Sequence, residues 1–109
     1  MPYPSVHDHG SLVEIDLHGA RIDEAMRLID NLFALAVLRG RTKLSIIHGA
    51  STFGTGRDSI KERVYEAIDS GRWSPTGSVV RYEGSTAIAL PTLGNRADPT
   101  PITLIDISR

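Results

Sequence analysis

Two segments patterned as β-strands end in histidine-glycine, and a helix-patterned run follows each. They are Ile15-Asp16-Leu17-His18-Gly19, ahead of residues 22–39, and Ile46-Ile47-His48-Gly49, ahead of a run from about Arg57 to Asp69. This β-α-β-α order constrains the fold sharply. Parallel strands joined through a helix need a right-handed crossover, which places both helices on the same side of the sheet. It also sets where chemistry can gather, because strand ends face helix starts. Outward N–H groups and the helix dipole favour an anion at such a helix start.

The local periods support that order. Val13, Ile15 and Leu17 alternate with Glu14, Asp16 and His18, the period-2 pattern of a half-buried strand. From residue 22 the period changes: Ile22, Ala25, Met26, Ile29, Leu32, Phe33, Ala36 and Val37 form one helical stripe. Asp23 and Glu24 suit the first turn of that helix, and Gly40 suits its end. Thr42–His48 reads as the second strand, with Ile46 and Ile47 pointing to burial on both faces. Residues 49–56, GASTFGTG, form a glycine-rich loop, and Ile60, Val64, Ala67 and Ile68 mark the second helix. Two more strands, Ser78–Tyr82 and Ser85–Pro91, join through a tight Glu83-Gly84 turn.

These elements predict an α/β two-layer sandwich: a β-α-β-α-β-β mixed sheet with two helices on one face and the other face open. Glu14, Asp16 and His18 fall on the open face. Residues 1–11 read as a flexible N-terminal tail, 12–91 as the domain, and 92–109 as a C-terminal extension in which Ile102–Ile107 could add an edge strand. With 109 residues, the chain has room for one core. It has no cysteine, which excludes disulfides and thiolate metal sites and is compatible with a cytoplasmic location. No apolar run is long enough for a membrane span, and the first residues lack a signal-peptide pattern. A net charge of −1 argues against a strong non-specific nucleic-acid coat and limits any basic patch to a small one.

Asp16 and His18, two apart on a strand, share a face. A carboxylate there can orient an imidazole and raise its basicity for proton transfer near neutral pH. Gly54-Thr55-Gly56 ahead of a helix has the composition of a backbone that approaches phosphate closely, with Arg57 and Lys61 one turn apart beside it. The loop is neither a Walker A sequence nor a GxGxxG fingerprint. His7 and His9 lie in the tail, and no cluster has structural-zinc spacing, so no metal site is assigned. A loosely held divalent ion at Asp16 is compatible with the pattern. Ser59, Ser78 and Ser85 lack the context of a nucleophile. Trp73 and Tyr82 could stack on bases, although Trp73, just past a helix end, reads better as a core plug.

Three motifs resemble one family. Ile15-Asp16-Leu17-His18-Gly19 with Asp23-Glu24-Ala25 looks like an opening L-D-L-H-G-x-x-x-x-E-A. Ile46-Ile47-His48-Gly49 looks like I-I-H-G, and Gly84-Ser85-Thr86-Ala87-Ile88-Ala89-Leu90 like a closing G-A-T-x-V-x-L strand. In order and at suitable spacing over residues 12–91, they resemble the Smr (small MutS-related) domain. The resemblance implies a sandwich similar to the C-terminal domain of translation initiation factor three. It also implies nucleic-acid binding and, in many members, endonuclease activity: nicking of DNA, or RNA cleavage by proteins acting on stalled ribosomes.

By position the resemblance makes Asp16 and His18 the catalytic pair. It assigns His48 and Gly49, and through the loop Gly54, Gly56 and Arg57, to nucleic-acid binding, with no cofactor required. The chain departs from the pattern where His48-Gly49 continues into Ala50-Ser51 rather than a basic residue and glycine, so the loop is about four residues longer. It departs again where Ala20-Arg21 replaces the usual threonine cap. The alternative expectation is a non-catalytic module that binds nucleic acid or protein on the same fold.

Overall fold

The computed structural model describes residues 4–49, 59–73, 77–91 and 97–108. Five strands form one mixed sheet: β1 (Ser5–Asp8), β2 (Leu12–Asp16), β3 (Lys43–Ile47), β4 (Val79–Arg81) and β5 (Ser85–Ala89), in spatial order β1-β2-β3-β5-β4. Only the β2–β3 pair is parallel, and helix α1 (Ile22–Leu38) connects it; the other three pairs are antiparallel. Helices α2 (Ile60–Asp69) and α3 (Leu104–Ile107) pack against α1. The α/β sandwich expected from the periods is therefore present, with one strand and one helix more than the sequence reading assigned. Among the described residues no helix is long and apolar enough to cross a membrane.

Alternation places the core. Val13, Ile15 and Leu17 on β2 and its end, Leu44 and Ile46 on β3, and Ile88 and Leu90 on β5 and its end are buried against Ala25, Met26, Ile29, Leu32 and Ala36 of α1. Residues between them turn to the other face: Glu14 and Asp16, Ser45 and Ile47, Ala87 and Ala89, all half-buried. Ile47 is thus not enclosed as fully as Ile46, because none of the described helices covers that face.

Both additions come from segments outside the expected domain. Residues 5–8, read as part of a flexible tail, form edge strand β1, which pairs Val6 with Ile15 and Asp8 with Val13. Val6 and Asp8 therefore face the helix layer. A carboxylate can occupy that position because Arg41, 2% exposed, grips it from the turn after α1. Its Nε and Nη2 donate to the Asp8 carboxylate at 3.0 and 2.7 Å, and the remaining donors go to the carbonyls of Arg39, Asp98 and Thr100. Asp8 also accepts the amides of Gly10 and Ile102. One buried ion pair thus joins both flanking segments to the domain.

The segment Ile102–Ile107 is not an edge strand. Thr103 and Asp106 form a capping box, each side chain satisfying the other's backbone amide, and this starts a short helix. Ile102 and Ile107 are buried, and Asn31 of α1 donates to the Ile107 carbonyl at 2.8 Å. Helix α2 begins at Ile60 behind a Ser59 cap whose hydroxyl accepts the Glu62 amide. Trp73 is the core plug expected: it is 4% exposed, and its indole N–H donates to Asp30, which also pairs with Arg72 and so ties α1 to the end of α2.

Candidate functional site

The C-terminal ends of β2 and β3 lie side by side: Asp16 is opposite Ile47, and the Leu17 amide donates to the Ile47 carbonyl at 2.9 Å. The two histidine-glycine pairs therefore leave the same end of the sheet. At each, the chain must leave the extended conformation at once, and Gly19 (φ +77°) and Gly49 (φ +84°) adopt the left-handed backbone that a side chain would penalise.

Asp16 and His18 form one unit. Asp16 Oδ1 accepts both the His18 backbone amide (3.0 Å) and His18 Nδ1 (3.1 Å). A carboxylate only accepts, so Nδ1 carries a proton and, in the neutral ring, Nε2 is the basic nitrogen. The Asp16 side chain is 20% exposed and that of His18 65% exposed, so the support is half-buried and the imidazole reaches solvent. This geometry suits a general base held in one tautomer.

The other histidine is used differently. His48 is 9% exposed, its Nδ1 donates to the Gly49 carbonyl at 2.8 Å, and its Nε2 accepts from the buried Thr86 hydroxyl at 2.9 Å. Tyr65 of α2 meets the ring edge-on at 5.9 Å between centroids. Burial, with a smaller contribution from the Lys61 charge, outweighs the Gly49 hydrogen bond and holds the imidazole below the ordinary histidine range, so it is neutral at pH 7. The amides of His48 and Gly49 both donate to the Gly84 carbonyl, at 3.2 and 3.0 Å. The sequence expectation gave these two residues a phosphate contact; here their donors have partners inside the fold. Together they tie the end of β3 to the β4–β5 turn. Gly54, Gly56 and Arg57 lie outside the described residues.

Sequence reasoning missed the arginines at the start of α1. Arg21 occupies the N-cap position with no side-chain cap, as the absent threonine foreshadows. It lines a cleft of about 570 Å³ with Asp23, Glu24 and Arg27, and a neighbouring one with Ile22, Asp23 and Arg63. An arginine at the N-cap, beside the positive end of the helix dipole, is a legible signal, because it opposes the local electrostatic preference. Among the described residues no three histidine, aspartate or glutamate side chains form a metal-binding group.

The family model described as Smr domain matches residues 15–75, which includes both histidine-glycine pairs and both longer helices. Endonuclease MutS2 from Maridesulfovibrio salexigens is 44% identical over 46 residues, which cover 42% of this chain and 6% of that protein. The chain thus corresponds to a small part of that relative. No solved structure matches.

Proposed function

This chain belongs to the Smr domain family, and we propose that it binds nucleic acid at the ends of β2 and β3 and cleaves a phosphodiester bond there. The observation that carries this reading is the double grip of Asp16 Oδ1 on His18, which leaves an exposed imidazole with a defined tautomer. On RNA, His18 Nε2 takes the proton of a 2′-hydroxyl. The 2′-oxygen then attacks the adjacent phosphorus, the bond from phosphorus to the 5′-oxygen breaks, and that oxygen takes a proton from water. The products are a cyclic phosphate and a 5′-hydroxyl. Negative charge on the phosphoryl oxygens falls to nearby cations, of which Arg21 is three residues from His18 and so within about 11 Å of it, Cα to Cα. On DNA the same pair would activate water, and a divalent ion beside Asp16 would supply Lewis-acid help.

His48 and Gly49 serve this reading as the anchor of the loop that follows, and Gly54, Gly56 and Arg57 keep the nucleic-acid-binding role read from the sequence. On the same reading the domain works in the cytoplasm beside a larger nucleic-acid complex such as the ribosome; the family resemblance is the support for that setting. A second reading is a binding module without catalysis. It is favoured by the net charge of −1 and by the internal use of the His48 and Gly49 donors.

The deciding experiment is cleavage of end-labelled single-stranded RNA and DNA, with chelator and with magnesium, comparing wild type and His18→Ala. Chelator-resistant RNA cleavage that vanishes in the variant supports the imidazole mechanism. Inactivity of both proteins on both substrates in every condition removes the catalytic assignment and leaves the binding module.

A further inference from the structure

The register of the sheet places an exposed aromatic side chain in line with the Asp16–His18 pair. Asp16 is opposite Ile47, and Ile47 is opposite Ser85. The β4–β5 pairing, Arg81 with Thr86, continues to Tyr82 opposite Ser85, whose carbonyl accepts the Tyr82 amide at 2.8 Å. Asp16, Ile47, Ser85 and Tyr82 therefore form one cross-strand row on the open face. At a strand spacing of roughly 4.8 Å, Tyr82 lies about 15 Å from Asp16. Ile47 and Ser85 lie between the pair and Tyr82, and the next row, Glu14, Ser45, Ala87 and Val80, has small residues at its centre.

Tyr82 also differs from the other described aromatic side chains. Trp73 is buried on Asp30, Phe33 packs against the core, and Tyr65 is set against His48 with the Arg81 guanidinium over its face at 4.5 Å. Tyr82 is 57% exposed, beside Val80 at 47%. A single exposed apolar residue is ordinary. This one sits at the turn whose Gly84 carbonyl holds the amides of His48 and Gly49, so its position is coupled to the base of the loop.

We propose that Tyr82 stacks on an unpaired nucleobase, so that single-stranded nucleic acid runs along this row with its scissile phosphate at His18. The proposal rests on the nucleic-acid reading above and goes further by naming the strandedness of the substrate and the residue that reads it. Stacking needs a base face that a duplex hides, and every base offers one. A chain of net charge −1 is poorly supplied with cations for duplex binding driven by phosphates. The row spans roughly four stacked nucleotides at 3.4 Å each, so the stacked base lies about that far from the cleaved bond.

The test is fluorescence anisotropy with a labelled single-stranded RNA of about 12 nucleotides, within the usual site size, and with a duplex of the same sequence. Wild type, Tyr82→Ala and Tyr82→Phe are compared at one salt concentration. Tyr82→Ala should weaken single-strand binding by about 5- to 150-fold, with Tyr82→Phe near wild type and duplex binding unchanged by either. If wild type binds the single strand and Tyr82→Ala stays within twofold of it, the stacking role is overturned while the cleavage reading stands. Equal losses on single strand and duplex overturn it too. A wild type that binds neither nucleic acid overturns both proposals.

Discussion

Replacing Asp8 by Asn tests whether the buried ion pair holds the flanking segments in place. The side chains of Asp8 and Arg41 are 4% and 1% exposed. The substitution keeps the size of the side chain but leaves a buried guanidinium without its counter-charge. Removing one partner of such a pair costs about 3–5 kcal/mol. At roughly 0.05–0.15 kcal/mol per residue, a chain of this length has about 5–15 kcal/mol in total, so the loss is a large fraction of it. Asp69→Asn is the control: its carboxylate also pairs with an arginine at 2.8 Å but is 70% exposed, and it should cost about 0–1 kcal/mol.

The assay is urea unfolding followed by far-UV circular dichroism at pH 7 and at pH 3. Burial alone would raise the Asp8 carboxyl, but hydrogen bonds from Arg41 and from the amides of Ile102 and Gly10, with the Arg41 charge, outweigh it and hold the carboxyl below the ordinary aspartate range. The pair's contribution is therefore complete above the unfolded value near 4 and declines as pH falls toward the lower folded one. The gap between wild type and Asp8→Asn should narrow at pH 3. A cost under about 1 kcal/mol at pH 7, equal to that of the exposed control, would refute the reasoning.

Three further outcomes are expected. Asp16→Asn keeps the shape of the pair but removes the acceptor-only carboxylate that fixes the His18 tautomer, so kcat for RNA cleavage should fall by about 10²- to 10⁴-fold with KM little changed; equal kcat would exclude tautomer control. His48, held below the ordinary histidine range, makes the unfolded chain the better proton binder in mild acid. Stability should be full above about pH 6.5 and drop as pH falls below it, a dependence that urea midpoints at pH 7.5 and 5.5 would reveal and that His48→Asn should lack. Arg21→Gln should weaken RNA binding and lower the slope of log affinity against log salt by about 0.7; an unchanged slope would place Arg21 away from the phosphates.

The arrangement of elements was legible because hydrophobic periods are local. The 2-to-3.6 switch between Leu17 and Ile22, the stripe of α1 and the tight Glu83-Gly84 turn each lie within a few residues. The Asp16–His18 pair was legible for the same reason, since alternation puts residues two apart on one face. The capping box of α3 was also local, in Thr103 and Asp106, and an apolar run read as a strand obscured it.

Tertiary structure decided the rest. Nothing near Asp8 in sequence marks it as buried; its partner is 33 residues away, and two of that partner's three carbonyl acceptors are 57 and 59 residues from Arg41. The partner of the His48 second ring nitrogen, Thr86, is 38 residues on and was invisible in the local pattern. Tyr82 joined the row of Asp16 only through the register of three strand pairings. Periodicity reports which face a residue takes; which charge, hydroxyl or ring meets it there depends on segments that come together only when the sheet forms.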